Sequence, residues 1–496
     1  MSSDPVRHSV GSGNFQIPDF QLGEHKLPIV VDLDNTLIKT DSLHEQLVRL
    51  VSREARSLLV ALPSLLGGRA SLKAAIAAAV SEPDETWPFN EELVAWLRGQ
   101  ATLGRRLYLV SAAHASIVTA VARRLPIFED AVGTEQENLK GPAKAAYLAN
   151  RFPDGFAYAG DSPDDLAVWE RAQTAVPVGV STTTRAALQR LGTPVEAEFP
   201  LQRPGMRDWA RALRIHHWTK NVLIFIPILL SHGWTDLDAL LRTFLGFLLL
   251  LCVTSSTYIL NDLADLQADR RHWSKRMRPI ARGLIQIRTA LPLAICGITL
   301  GVLLGLLLSV WFALALCGYV LLTLAYSLGL KRVPLLDVFI IAVLFVARIG
   351  MGIALVGHDV SDWLLAFSLA LFFSLAVAKR HTEILRAFEA NHGDALAARG
   401  YRVADRDLTL VIGLGAGLVS VLVLILYIVE DAFAVVGYGQ PGWLRLIPVL
   451  VAIWLGRIWL LAHRGEMADD PVSFALRDRP SLALGAAVAT AFLLSI

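Results

Sequence analysis

The stretch Asn261–Gly283, "NDLADLQADRRHWSKRMRPIARG", holds three aspartates and then six arginines and lysines. It lies between two apolar runs, "LRTFLGFLLLLCVTSSTYIL" before it and "LPLAICGITLGVLLGLLLSV" after it. Each run has the length of about 20 residues that a helix needs to cross the hydrocarbon core of a bilayer. The charges therefore stand at the mouth of two spans. Asp262, Asp265 and Asp269 are spaced i, i+3, i+7, with Asn261 four residues before Asp265, so on a helix they project from one face. Hard oxygen ligands on one face suit Mg2+, which takes few protein carboxylates and completes its shell with water and substrate phosphates. The bases that follow, Arg270, Arg271, Lys275, Arg276, Arg278 and Arg282, can hold phosphate oxygens directly. Positive-inside bias accounts for the bases of such a loop but not for carboxylates at helical spacing beside a membrane.

Working outward, the apolar runs predict nine spans, near 217–233, 238–260, 289–308, 310–329, 335–356, 362–378, 408–429, 446–463 and 481–496. Lys and Arg crowd alternate connections. They include Arg203, Arg207, Arg211, Arg214 and Lys220 before and at the start of the first span, Lys331 and Arg332 after the fourth, and Lys379, Arg380, Arg386, Arg399, Arg402 and Arg406 after the sixth. The intervening loops, such as "VGHDVSDW", hold almost none, so the basic side and the N-terminal domain are expected in the cytosol, with Ile496 outside. Arg348, inside the fifth span, should face the bundle interior and pair with an anion.

Residues 1 to about 215 read as soluble, and the chain as two domains. Residues 1–24 have no apolar core segment and read as a disordered lead-in; 181–205 reads as a linker. The three cysteines, Cys252, Cys296 and Cys317, all lie in apolar runs, so no disulfide framework is implied. A net charge of +2 gives no reason to expect nucleic acid. In "PIVVDLDNTLIKTD", from Pro28, a buried strand runs into Asp32 and Asp34, where parallel α/β sheets place chemistry. Residues 42–90 read as helices, "SLHEQLVRLVSREARSLLVAL" and "ASLKAAIAAAV". The segment "LLVALPSLLGG" within them is apolar enough to touch a membrane or a lipid head group.

Two resemblances add to this. The pattern N-D-x-x-D-x-x-x-D followed by "KRMRPIARG" resembles the first Asp-rich motif of the UbiA superfamily of intramembrane transferases. "RIHHWTKN" (214–221), "YSLGLKRVPLLDV" (326–338) and "AKRHTEI" (378–384) look closest to its polyprenyl-phosphate phosphoribosyltransferase branch, with Ile215 standing where that branch would have proline. The resemblance implies an all-α bundle of nine transmembrane helices over 206–496. It also implies a Mg2+-dependent transfer from phosphoribosyl diphosphate (PRPP) or a prenyl diphosphate to an acceptor such as a polyprenyl phosphate. Lys220, Lys275, Arg278, Arg282, Tyr326, Lys331, Lys379 and Arg380 are the candidate phosphate ligands. Superfamily members that use a prenyl diphosphate share a second D-x-x-x-D motif before the seventh span. Here that segment, "KRHTEILRAFEANHGDALAARGYRVADRD", lacks the motif and is rich in bases, as a donor with a further phosphate requires.

The N-terminal half resembles the haloacid dehalogenase (HAD) phosphatases over 25–180: "DLDNT" as motif I, "RLYLVSAAH" ending in Ser111, "GPAKAAYL" with Lys144, and "FAYAGDSPDD" with Asp161 and Asp165. This implies a Rossmann-like α/β domain with a small helical cap at 42–90. Asp32 would be the nucleophile and Asp34 the acid and base, Ser111 and Lys144 the phosphate ligands, and Asp32, Asp34, Asp161 and Asp165 the metal carboxylates.

Overall fold

The computed structural model describes residues 27–53, 86–135, 139–357, 361–389, 399–432, 438–467 and 471–496. The second helix expected in the insert, the segment "LLVALPSLLGG" and the expected lead-in lie outside the described residues. The chain divides into two units, described separately here. The α/β unit comprises the described residues up to Leu37 together with Phe89–Leu201, and the membrane unit comprises Ile38–Pro88 and Gln202–Ile496.

In the α/β unit, β1 (Ile29–Val31) is apolar and buried on both faces, as the central strand of a covered parallel sheet must be. The insert that follows begins with α1 (Ser42–Arg53), which groups with the membrane unit. The chain returns through α2 (Glu91–Thr102) to β2 (Leu107–His114), then α3 (Ala115–Arg124), β3 (Asp130–Thr134), α4 (Pro142–Arg151), β4 (Ala157–Gly160) and β5 (Thr174–Pro177). All pairings are parallel, in the order β3-β2-β1-β4-β5. The order reverses between β1 and β4, and the C-terminal ends of strands at such a switch point are where open α/β sheets bind ligands.

Residues 181–201, expected as linker, complete this unit instead. Ser181 caps α5 (Thr182–Leu191) by accepting from Thr184 N, and Gly192 ends the helix at φ +74. Val195 and Phe199 then bridge to Ala175 and Val178, and Glu196 pairs with buried Arg105. These polar caps and a distant ion pair turn a run rich in Ser, Thr and Pro into ordered structure.

Among the described residues, seven helices of the membrane unit are long and apolar enough to cross a bilayer. They are built on α6 (Leu237–Ala264), α8 (Ile287–Leu308), α9 (Val310–Leu328), α10 (Leu336–Val356), α11 (Asp362–Glu389), α12 (Arg406–Tyr427) and α13 (Leu446–His463); the short α7 (Leu266–Arg271) follows α6. The first and ninth expected spans are shorter apolar helices, Ile215–Leu230 and α14 (Arg479–Ser495). The first opens as a 3-10 helix over Ile215–Phe225 and turns α-helical only at Ile226–Leu230. The sixth is longer than expected, so Lys379, Arg380 and Arg386 sit on helix α11 and not in a loop. Small residues let these helices approach: a Cβ on Gly297 would lie 2.2 Å from Ser256 Oγ, and one on Gly301 2.4 Å from Val253 Cγ2.

Candidate functional site

Each unit carries its own cluster of charged side chains. In the α/β unit, Asp32 follows β1 directly and Asp161 follows β4, so adjacent parallel strands deliver both carboxylates to one edge. Lys144 reaches in from α4. Its Nζ lies 3.0 Å from Asp32 Oδ1 and donates to Tyr158 Oη at 3.0 Å. Tyr158 in turn donates to Asp165 Oδ1 at 2.8 Å. The other oxygen of Asp165 accepts from Asp161 N, Ser162 N and Ser162 Oγ. Both oxygens of Asp165 are thus engaged in fixing the loop after β4. Thr36 Oγ1 donates to Asp161 Oδ1 at 3.4 Å. Ser111 is buried in β2, its Oγ accepting from Ala113 N at 3.2 Å, and Asp34 is half-buried two residues beyond Asp32.

Oxygens of Asp32, Asp161 and Asp165 lie within 4.8 Å of one another. Burial, and then the charges of Asp165, Asp32 and Asp34, push the Asp161 carboxyl well above the usual carboxylate range. Burial raises Asp32 too, with Asp165 adding to the shift and Lys144 opposing it. Burial pulls Lys144 down, but the Asp32 and Asp165 carboxylates reverse this and leave it raised. Three crowded carboxylates facing one ammonium have the chemistry of a divalent-cation site, to which Asp32, Asp161 and Asp165 could each offer an oxygen.

In the membrane unit, Asn261 and Asp262 lie in the last turn of α6, Asp265 ends it, and Asp269 is on α7. Asp262 and Asp269 are buried and share one partner: Arg278 Nη1 donates to Asp262 Oδ1 at 3.0 Å and also to Asp269. Arg214 pairs with the same Asp262 oxygen, and Lys331 pairs with Asp265. Asn261 Oδ1 accepts from Ser327 Oγ at 2.8 Å. The single helical face expected from the spacing is interrupted at Asp265, where α6 ends and α7 begins; the acids are met by Arg214, Arg278 and Lys331, brought from three parts of the chain. Hard oxygen donors beside arginine and lysine side chains have the chemistry from which a Mg2+–diphosphate site is built.

Other expected bases divide into two groups. Lys275 is within electrostatic reach of Asp269, Arg278, Arg399 and Asp265, and Lys379 of Glu383, Arg399, Arg380 and Lys275. Lys220 reaches Lys379, Arg348 and Arg214, and its Nζ lies 5.4 Å from the centre of the Phe345 ring. Tyr326 accepts from Arg399 at 3.4 Å. Arg270, Arg282 and Arg380 are engaged elsewhere, with Glu45, Asp208 and the Asp337–Glu383 pair respectively. Arg380 is fully buried, and Tyr401 donates to the second Asp337 oxygen at 2.6 Å, so this group ties α10, α11 and Tyr401 together. Arg348 does face the interior, but it meets neutral partners, donating to Asn221 Oδ1 at 2.8 Å and Tyr319 Oη at 2.9 Å.

Sequence reasoning missed Tyr158, Asn221, Asp337 and Tyr401. The one usable signal was Asp337, an acid entering an apolar helix, where an unpaired charge is costly.

Comparison with known proteins agrees with the membrane unit. Residues 222–479 match the UbiA prenyltransferase family. An uncharacterized protein of Sinorhizobium fredii, y4nM, is 42% identical over 97% of this chain and 93% of its own length. The decaprenyl-phosphate phosphoribosyltransferase of Mycobacterium tuberculosis H37Rv is 28% identical over 54% of this chain and 87% of its own. Among solved structures, a UbiA homolog from Archaeoglobus fulgidus bound to GPP and Mg2+ is 17% identical, with a TM-score of 0.46, covering 58% of this chain and all of that one. The chain is a multi-pass integral membrane protein and belongs to the UbiA prenyltransferase family.

Proposed function

We propose that the chain is a bifunctional membrane enzyme. Its membrane unit moves 5-phosphoribosyl from PRPP to a polyprenyl phosphate, and its α/β unit is a HAD-type phosphatase that removes a phosphate monoester, the 5-phosphate of the lipid product. The observation that carries the donor assignment is the excess of cations beside the Asp-rich face. Arg214, Arg278 and Lys331 already meet its carboxylates, and Lys275, Lys379 and Arg399 stand within electrostatic reach of one another beyond them. That much positive charge suits a donor carrying a phosphate besides its diphosphate. The similarity to a decaprenyl-phosphate phosphoribosyltransferase supports the same choice.

In this reading Asn261, Asp262, Asp265 and Asp269 would hold Mg2+, which supplies charge neutralisation on the departing diphosphate. Arg278, Lys331 and Lys275 hold the diphosphate oxygens while the bond from ribose C1 breaks. Lys220, Tyr326 and Lys379 hold the remaining phosphates, with Arg282 and Arg380 positioning the segments that carry them. A phosphate oxygen of the acceptor attacks C1. It is already anionic, so no dedicated base is required.

In the α/β unit, Asp32 attacks phosphorus and Asp34 protonates the leaving alcohol. Water, losing its proton to Asp34, then releases phosphate from Asp32. Ser111 and Lys144 hold the phosphate oxygens, while Asp165 positions the loop of Asp161.

We further propose nine crossings with both sites on the cytoplasmic side. A 3-10 helix rises about 2.0 Å per residue, so the 11 residues of Ile215–Phe225 and 5 of Ile226–Leu230 extend roughly 30 Å, enough for the hydrocarbon core. A reporter fused after Ile496 should read as external and one at Gly393 as internal; both on one side would refute the count.

The family also contains prenyltransferases, so alkylation of an aromatic acceptor by a prenyl diphosphate is the rival reading, with the α/β unit then acting on a soluble metabolite or serving as a scaffold. Membranes containing the protein, given labelled PRPP and polyprenyl phosphate, should form a charged labelled lipid. Consumption of prenyl diphosphate alone would reject PRPP as the donor.

A further inference from the structure

The sequence of the α/β fold is interrupted after Leu37, and the residues that follow group with the membrane unit. There α1 packs against α6 and α8. Its Val48 packs against a buried apolar cluster that includes Ile259, Leu263, Leu266, Ile280 and Ala281, residues within and next to the Asp-rich stretch. At the centre of this contact is a buried ion pair. Arg270 Nη2 lies 2.6 Å from Glu45 Oε1 and Nη1 donates to Oε2 at 2.9 Å, the side chains being 7% and 3% exposed. The same guanidinium donates from Nε to Ala281 O at 2.7 Å and from Nη1 to Thr86 O at 3.1 Å. One cation thus ties α1, α7 and the 279–283 turn into one body. Gly283 closes that turn at φ +74, and a Cβ there would lie 2.7 Å from Lys39 O, so the insert also abuts the turn through its backbone.

We infer that Glu45 is a positioning residue of the transferase: it holds Arg270, and through it sets α7 and the 279–283 turn, which carry Asp269 and follow Arg278. The insert that interrupts the phosphatase-like sequence is then a working part of the membrane site. A bidentate carboxylate fixes the guanidinium plane. Without it, a buried cation is left uncompensated one residue from Asp269. The inference rests on the Asp-rich face being a diphosphate site, and it is independent of which diphosphate is the donor.

Inorganic diphosphate, the leaving group of either donor, is therefore the probe. Its affinity is measured by calorimetry with Mg2+ on full-length protein carrying Asp32→Asn to silence hydrolysis. Glu45→Gln should weaken binding about tenfold, the lower end of what partners one shell beyond a metal ligand contribute. Arg270→Gln should do the same, and the double variant should be no worse than either single one, because both act through one contact. Glu45→Asp, which keeps the charge at shorter reach, should fall between wild type and Glu45→Gln and serves if the amide variant does not fold. In the chain with intact Asp32, hydrolysis of a soluble phosphomonoester should be unchanged by Glu45→Gln. Unchanged diphosphate affinity in the folded Glu45 variants, additive losses in the double variant, or a loss confined to phosphomonoester hydrolysis would each overturn the inference. Absence of diphosphate binding before any Glu45 change would instead reject the transferase reading on which it rests.

Discussion

The two charged clusters are opposites in their electrostatics. In the α/β unit, Asp32, Asp161 and Asp165 crowd within 4.8 Å around a single lysine, so acids are in excess and Asp161 is driven toward its neutral form. In the membrane unit, Asp262, Asp265 and Asp269 already meet Arg214, Arg278 and Lys331, and further bases stand beyond them. The first arrangement is short of a cation. The second is short of an anion. Under the proposed function the first is a site for a divalent cation and the second a site for a Mg2+-bound polyanion, the pairing expected of a phosphatase and a diphosphate-releasing transferase.

The sharpest way to break that comparison is at Asp262. Asp262→Ala removes the carboxylate on which Arg214 and Arg278 converge and should lower transfer about 1,000-fold, within the range for a group aimed at developing charge. Phosphomonoester hydrolysis should not change; transfer persisting at saturating Mg2+ would count against the site. The Arg380 pair is the contrasting case of charge used for structure. Asp337→Asn leaves a fully buried guanidinium undercompensated and should cost about 3 kcal/mol of stability, seen as a lower melting temperature in detergent. Transfer per folded molecule should fall far less than in Asp262→Ala, because Arg380 positions the helix that carries Lys379 and does not itself hold phosphate. A normal melting temperature with lost transfer would instead make Arg380 a ligand.

The α/β cluster can be sharpened by pH. The folded-state pKa of Asp161 lies above its ordinary value of 3.8, so between the two the folded state binds more protons than the unfolded one. Stability should fall as pH rises through that window. In EDTA, thermal melting of the full chain should show this loss for wild type. Asp161→Asn should remove most of it and be more stable at neutral pH, and Mg2+ should restore wild type far more than the variant. A wild-type curve that ignores both pH and Mg2+ would contradict the cation-deficient reading. The smallest effect belongs to Lys331→Ala. Its pair with Asp265 is partly open to solvent, so stability should change by less than about 1 kcal/mol, while KM for the donor rises.

What could be read without the structure followed local rules. The long apolar runs and the alternating basic loops announced a multi-span chain. The i, i+7 pair Asp262 and Asp269 shares Arg278, whereas Asp265, where the helix ends, pairs with Lys331. Strand-end motifs placed Asp32, Ser111 and Asp161 on neighbouring parallel strands. What could not be read were the partners of the bases, because packing chooses them across the chain. Arg270 finds Glu45 225 residues away, and Lys331 finds Asp265 66 away. A run of arginines looks uniform in sequence, yet Arg278 faces the site while Arg270 and Arg282 are bound to other carboxylates. The same limit hid the allegiance of α1, whose helical spacing shows an apolar face but not what covers it.

The central claim, that the two sites act in sequence on one lipid, is tested most directly by the lipid that accumulates. Membranes expressing wild type or Asp32→Asn are supplied with PRPP and polyprenyl phosphate, and the products are identified by mass spectrometry. The account predicts polyprenylphosphoryl ribose from wild type and its 5-phosphorylated precursor from Asp32→Asn. Identical lipid products from both would contradict it, even if the α/β unit hydrolysed some other phosphate ester.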